Sequence, residues 1–286
     1  MKTAVITGAS SGIGFEVCKA LLEKGFFVIG VASTEEKARL AEENLKQYSP
    51  DGTLKFFSAN LAEGMEVSAL AREIKQFLEE SFSGKLDVLI NNAGCVRSYY
   101  TTTSEGFETQ FAVNCLAGYI LTGELMESLI RAGGRILFTS SNSHKGIKVR
   151  WQDIMFKQRY NALFMYKQTK LCNLLLAYEL NKRYNSLGVR AYGVDPGLVN
   201  TDIGLKNTTG IVKFFWNIQR KRGVSPSIAA KTFEYICEQK IAPDSLYYFR
   251  SEPAPFSKQV NAENSAKLWD LSEKLTGFTF KEKIGI

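Results

Sequence analysis

The chain has 286 residues, 45% of them hydrophobic and 23% charged, the proportions of an ordinary folded globular protein rather than a disordered or fibrous one. Its net charge of +7 is spread among 29 acids, and no stacking or groove-reading motif accompanies the basic clusters at Arg220-Lys221-Arg222 and 145–159, so nucleic acid is not an expected partner. Five scattered cysteines with no Cys-x-x-Cys pair argue against a disulfide framework or zinc site, and with no signal segment after Met1 and no bilayer-length apolar run the expected location is the cytoplasm.

Short β-branched or aromatic runs alternate with longer amphipathic segments from the N-terminus through the 188–194 run, the pattern of repeated βαβ units around a parallel sheet. Strands are expected near 3–7, 26–32, 53–58, 86–90, 134–140, 188–194 and 246–250. Helices are expected near 12–24, 35–48, 64–82, 105–131, 160–187, 226–239 and 261–275. Gly25 should end the first helix, Pro50-Asp51-Gly52 should turn into the third strand, and Ser225-Pro226 reads as an N-cap followed by Pro at the first helical position. The stretches 142–160 and 200–225 carry no clear pattern. Long connections at the carboxyl edge of a parallel sheet commonly contact ligands, so both are candidate substrate walls.

The first strand runs into Gly8-Ala9-Ser10-Ser11-Gly12-Ile13-Gly14 and then a helical pattern, which places free N–H groups and a helix N-terminus where a pyrophosphate would bind. Further along come Asn91-Asn92-Ala93-Gly94 after the fourth strand, Asn114 in the next helical pattern, Ser140-Ser141 at the end of the fifth strand, Tyr166-x-x-x-Lys170 in a long helical pattern, and Asp195-Pro196-Gly197 after the sixth strand. In this order the motifs resemble those of the short-chain dehydrogenase/reductase family, whose Thr-Gly-x-x-x-Gly-x-Gly is matched by Thr7, Gly8, Gly12 and Gly14.

The resemblance implies one Rossmann-type, doubly wound α/β domain over 1–286, a mainly parallel seven-stranded sheet with helices on both faces. It implies a dinucleotide held by Gly8, Ser10, Ser11, Gly12, Ile13, Gly14, Ser33, Asn60, Leu61, Asn91, Ala93, Gly94, Tyr166, Lys170, Pro196, Gly197, Val199 and Thr201. It also implies a catalytic set of Asn114, Ser141, Tyr166 and Lys170, with Ser141 chosen over Ser140 by register and Asn114 holding a water that connects Lys170 to solvent. The family commonly forms dimers and tetramers, so a homo-oligomer is expected.

The residues themselves support that chemistry. Tyr166 and Lys170, at i and i+4, share a helix face, where an ammonium can stabilise a phenolate and lower the tyrosine pKa toward working pH. Such a tyrosine can exchange a proton with a substrate oxygen, and a serine hydroxyl can polarise the same oxygen. Ala32 stands where an acid would bond the ribose 2′-OH of NAD, while Ser33, Thr34 and Lys37 could serve a 2′-phosphate, so NADP(H) is favoured and NAD(H) is the alternative.

The interval from Ser141 to Tyr166 is about twice the family's usual spacing, and with Tyr166-Lys167-Gln168-Thr169-Lys170 it looks like the retinol dehydrogenase branch, with some similarity to protochlorophyllide reductases. The run Ile211-Val212-Lys213-Phe214-Phe215-Trp216, followed by Arg220-Lys221-Arg222, falls where the family folds a substrate flap near 200–225. Its aromatics suit an apolar aldehyde, ketone or alcohol, and a basic amphipathic helix on a membrane surface is the less favoured reading. His144, the only histidine, reads as a loop residue or pocket wall. The competing functional class is a catalytically inactive dinucleotide-binding regulatory protein.

Overall fold

The computed structural model describes residues 1–49, 52–200 and 223–280; Pro50, Asp51, Thr201 and the flap segment lie outside the described residues. The early βα units are β1 Thr3–Thr7, α1 Gly12–Glu23, β2 Phe27–Ala32, α2 Glu35–Leu45, β3 Leu54–Ser58, α3 Gly64–Phe82 and β4 Val88–Asn91. After β4 come α4 Thr109–Phe111, a π turn Ala112–Leu116, α5 Ala117–Glu124, α6 Met126–Ala132, β5 Arg135–Thr139, α7 Ala162–Tyr184 and β6 Arg190–Asp195. The chain then forms α8 Pro226–Glu238, β7 Tyr247–Phe249, β8 Glu252–Pro253 and α9 Ala262–Thr276.

The strands form one sheet in the order β3-β2-β1-β4-β5-β6-β7-β8, parallel from β3 through β7. One apolar core lies between the sheet and α3, α5 and α7, and a second lies on the opposite face beneath α1 and α8. The stripe Val67, Leu70, Ala71, Ile74 and Leu78 shows why α3 forms where it does: one face at helical period is apolar and buried. Helix α7 is buried over much of its circumference between the sheet and α9, polar residues such as Gln168, Lys170 and Asn173 included, with Asn161 capping it through bonds from the Leu163 and Phe164 amides. Ser225 caps α8 with Pro226 at its start, and Gly25 follows α1 at φ +75°, both as the sequence predicts.

Two expectations are corrected. The sheet has eight strands rather than seven: β8 turns back on β7, pairing Tyr248 with Pro253 and Phe249 with Glu252 in antiparallel register. The hairpin turn is Arg250-Ser251, both at positive φ, a geometry usually signalled by Asn-Gly or Asp-Gly, so the sequence carries no hairpin signature here. The expected helix 105–131 is instead three α segments joined through the π turn. Its residues are buried on nearly every side, so hydrophobic period does not reveal the extra residue in that turn. The unassigned stretch 142–160 contains two 3₁₀ turns, Asn142–Gly146 and Trp151–Asp153. Among the described residues no helix is long and apolar enough to cross a membrane.

Candidate active site

The strand order reverses between β1 and β4, and a cavity of about 1300 Å³ opens at the carboxyl ends of the strands there. At its floor the loops after β1 and β4 are locked together. The Thr7 hydroxyl oxygen accepts from the amides of Asn92 and Ala93, each at 3.0 Å, and the Asn92 side-chain amide donates to the Thr7 carbonyl at 3.0 Å. The glycines are required by this approach: Gly8 has φ +67°, and a Cβ on Gly14 would sit 2.3 Å from the Gly8 carbonyl oxygen. The loop therefore brings bare backbone to the N-terminus of α1, a cradle that fits a dinucleotide pyrophosphate.

Of the residues picked out in the sequence, Gly8, Ser10, Ser11, Gly12, Ile13, Ser33, Asn60, Leu61, Ala93, Gly94, Ser141, Tyr166, Lys170, Pro196, Gly197 and Val199 line this one cavity. Gly14 acts by its lack of a side chain beneath the loop. Asn91 is turned away from the cavity, its amide donating to Thr122 Oγ1 on α5 at 3.0 Å, because consecutive strand residues face opposite sides of a sheet; Asn92 takes the cavity side. Asn114 is also off the wall. From the π turn its Oδ1 accepts from the Cys95 amide at 2.7 Å, while its Nδ2 donates to the Cys95 carbonyl at 3.1 Å and to Thr169 Oγ1 at 3.2 Å, which ties the β4 loop to α7.

Ser141 lines the cavity, whereas Ser140 is buried and donates to the Lys170 carbonyl at 2.9 Å. Tyr166 and Lys170 face the cavity from adjacent turns of α7, with the ammonium 5.3 Å from the centre of the tyrosine ring. The Lys170 ammonium donates to the Thr139 carbonyl at 2.9 Å and is 2% exposed. Burial pushes its pKa down to about 8, against a smaller upward pull from Cys95 and Asp195.

The expected lowering of the Tyr166 pKa is not what this arrangement produces. Burial, reinforced by the negative charge of Asp195, holds the phenol above its usual value. The i,i+4 spacing puts an ammonium beside the ring, while burial and Asp195 act on the phenol in the opposite sense. Tyr166 accordingly carries its proton at neutral pH, the state in which it can act as an acid.

Sequence reasoning missed Asp195 and Tyr247 as a unit. Tyr247 donates to Asp195 Oδ2 at 2.8 Å, and Asp195 Oδ1 accepts from the Gly197 amide at 2.8 Å, which fixes the loop after β6. The Asp195-Pro196-Gly197 turn was visible, but its partner comes from a distant strand. His144 is fully buried rather than on an open wall; its Nδ1–H donates to the Ser141 carbonyl at 2.6 Å and its Nε2 accepts from the Ser257 amide at 3.1 Å. That pattern requires a neutral ring, since a second N–H would confront the Ser257 N–H.

Burial pushes the His144 pKa below its usual 6.5, with Lys145 adding to the drop and Asp195 opposing it. The unfolded chain therefore takes up this proton first, and stability should fall as pH drops below about 6.5. His144→Leu, which strips the Ser257 amide of its partner and leaves the Ser141 carbonyl only the backbone N–H of residue 144, is expected to cost about 1–3 kcal/mol in thermal or denaturant unfolding. His144→Gln, able to donate and accept at once, should recover much of that loss and flatten the acid-side decline. An equally steep decline in the Gln variant would assign the acid sensitivity elsewhere.

A family model described as short chain dehydrogenase matches residues 2–210. Retinol dehydrogenase 14 of Mus musculus is 34% identical over 292 residues, covering 96% of this chain and 86% of that protein. Retinol dehydrogenase 12 of the same species is 32% identical over 284 residues, covering 98% of this chain and 88% of that protein. A solved structure of an uncharacterized protein from Mycobacterium Paratuberculosis matches with a TM-score of 0.76 at 27% identity, covering 98% of this chain and 95% of that one. With the glycine cradle at the β1/β4 switch point, these matches make the chain a retinol dehydrogenase-like member of the short-chain dehydrogenase family, a dinucleotide-dependent oxidoreductase of alcohol and carbonyl groups.

Proposed function

We propose that this protein interconverts the carbonyl and alcohol of an apolar small molecule, with Tyr166 as the acid/base and NADP(H) as the favoured dinucleotide. The observation that carries the reading is that the glycine loop, Ser141, Tyr166 and Lys170 open into one cavity. When bound, the dinucleotide supplies or accepts the hydride at its nicotinamide ring.

Backbone N–H groups from Ser10 to Ile13 would hold the pyrophosphate, and Asn60 would meet the adenine edge. Tyr166 would pass its phenolic proton to the forming alkoxide, and Ser141 would hold the same oxygen by a hydroxyl hydrogen bond. The charge of Lys170 would favour the phenolate left behind, and Asn114 would hold Cys95 and α7 in register beside it. The apolar side chains of Val113, Leu163 and Phe249 on the cavity wall support a substrate with an apolar body.

Support for NADP(H) comes from the end of β2. Lys37 donates to the Ser33 hydroxyl at 2.9 Å, both line the cavity, and Ala32 provides no carboxylate to repel a phosphate. Lys37→Ala is expected to raise KM for NADPH about tenfold and leave KM for NADH nearly unchanged. The test of the whole reading is the initial rate of NADPH and NADH oxidation with apolar aldehydes and ketones, using Tyr166→Phe as control. Tight dinucleotide binding with no turnover of any carbonyl, or turnover indifferent to that hydroxyl, would sink it.

A further inference from the structure

The cavity wall carries a cation that the proposed catalytic and cofactor roles leave unused. Arg97 follows the Asn91–Gly94 loop and lines the cavity. It lies at the catalytic end, since Cys95 is within the electrostatic reach of both Arg97 and Lys170. Its backbone is pinned: the Tyr160 hydroxyl lies 3.0 Å from the Arg97 carbonyl and 3.0 Å from Glu108 Oε1, and it accepts from Gln110 Nε2 at 2.6 Å. Arg97 Nε is shut off from water and has no hydrogen-bond partner among the described residues.

Among the described residues no carboxylate forms an ion pair with this guanidinium, although Glu108 lies within its electrostatic reach. Glu108 Oε2 accepts from the Phe111 amide at 2.8 Å and Oε1 lies 3.0 Å from the Tyr160 hydroxyl, so its hydrogen bonds go to neutral donors rather than to Arg97. Asp195 is bound on one oxygen by Gly197 and on the other by Tyr247. Burial pushes the Cys95 thiol up to about 12, so the sulfur beside Arg97 stays protonated at neutral pH. Lys167, next to the acid/base tyrosine, adds a second cation to the same wall. A buried or half-buried cation left without a counter-ion is costly, and an anionic ligand relieves that cost.

Deepening the carbonyl/alcohol reading and resting on it, we propose that the substrate is an oxo acid or its hydroxy counterpart: an apolar body with a carboxylate held by Arg97 and the reacting oxygen at Tyr166. A carboxylate matches the planar fork of a guanidinium, which Lys167 could reinforce as a point charge. The apolar lining receives the chain between the two ends.

The test compares kcat/KM for a length series of ω-carboxy aldehydes with the methyl esters of the same compounds. For at least one length the free acid should be favoured about 10- to 100-fold through KM, and the preference should shrink with added salt. In Arg97→Met the acid-to-ester ratio should fall to near one, and in Arg97→Lys it should keep an intermediate value; dinucleotide binding by each variant reports folding. Wild-type enzyme that turns over esters as well as acids at every length would overturn the carboxylate inference while leaving the carbonyl/alcohol reading intact. A ratio unchanged in Arg97→Met would remove Arg97 from the role. Bound dinucleotide with no turnover of either series would overturn both.

Discussion

Tyr166→Phe is expected to lower carbonyl reduction by about two to four orders of magnitude, the range that a positioned acid contributes, while the affinity for dinucleotide changes by only a few-fold. The substitution removes one oxygen and keeps the ring that faces the Lys170 ammonium. Because burial and Asp195 hold the phenol above its usual pKa, wild-type reduction should be nearly flat across neutral pH, whereas alcohol oxidation, which needs the phenolate, should climb as pH rises. Stopped-flow rates in both directions over a pH series would check this. A Phe variant within tenfold of wild type would move the proton transfer to another group.

Lys170→Met should give a protein that is more stable and far less active. At neutral pH the fold holds an ammonium whose pKa has fallen from 10.5 to about 8, a burial cost with a ceiling on the order of 3 kcal/mol. Methionine matches the length of the lysine stem, and the Thr139 carbonyl keeps its other donor, Asn173 Nδ2, at 3.1 Å. A gain of about 1–3 kcal/mol, or roughly 2–10 °C in Tm, is expected at pH 7. The folded pKa is depressed, so between about pH 8 and 10.5 the unfolded wild-type chain holds more protons than the folded one. Wild-type stability should therefore rise through that window relative to the variant, and the gap should close. Activity should fall by about two orders of magnitude or more. Melting curves at pH 7 and pH 10 beside initial rates separate the two effects; a variant destabilised equally at both would mean that packing, not charge, governs the position.

The glycine loop and the Tyr166/Lys170 pair were legible in the sequence because both are short-range patterns set by one strand–loop–helix junction and one helix turn. The reading of Ser141 over Ser140 agrees with which of the two lines the cavity. Less legible features depend on contacts between distant segments or on surrounding dielectric. Helical spacing reports that an ammonium neighbours a phenol, but not that the phenol is buried beside Asp195. Asn114 in a π turn was hidden by apolar residues on every side, and Asn91 was misplaced because strand parity alone decides which of two adjacent asparagines meets the cavity. For Arg97 the available signal was a lone cation just past a glycine-containing loop at the carboxyl edge of the sheet. Its lack of an ion pair emerges only when the hydrogen bonds of Glu108 and Asp195 are seen to go elsewhere.

The small β8 hairpin bears on how copies of the chain meet. A parallel sheet that stopped at β7 would offer Tyr247–Phe249 as an apolar rung with open N–H and C=O groups, a template for another molecule's strand. Two residues cover it, and one of them, Pro253, has no N–H to offer onward, while Glu252 puts a carboxylate at the rim. The turn thus serves as an end-stop against templated growth of the sheet.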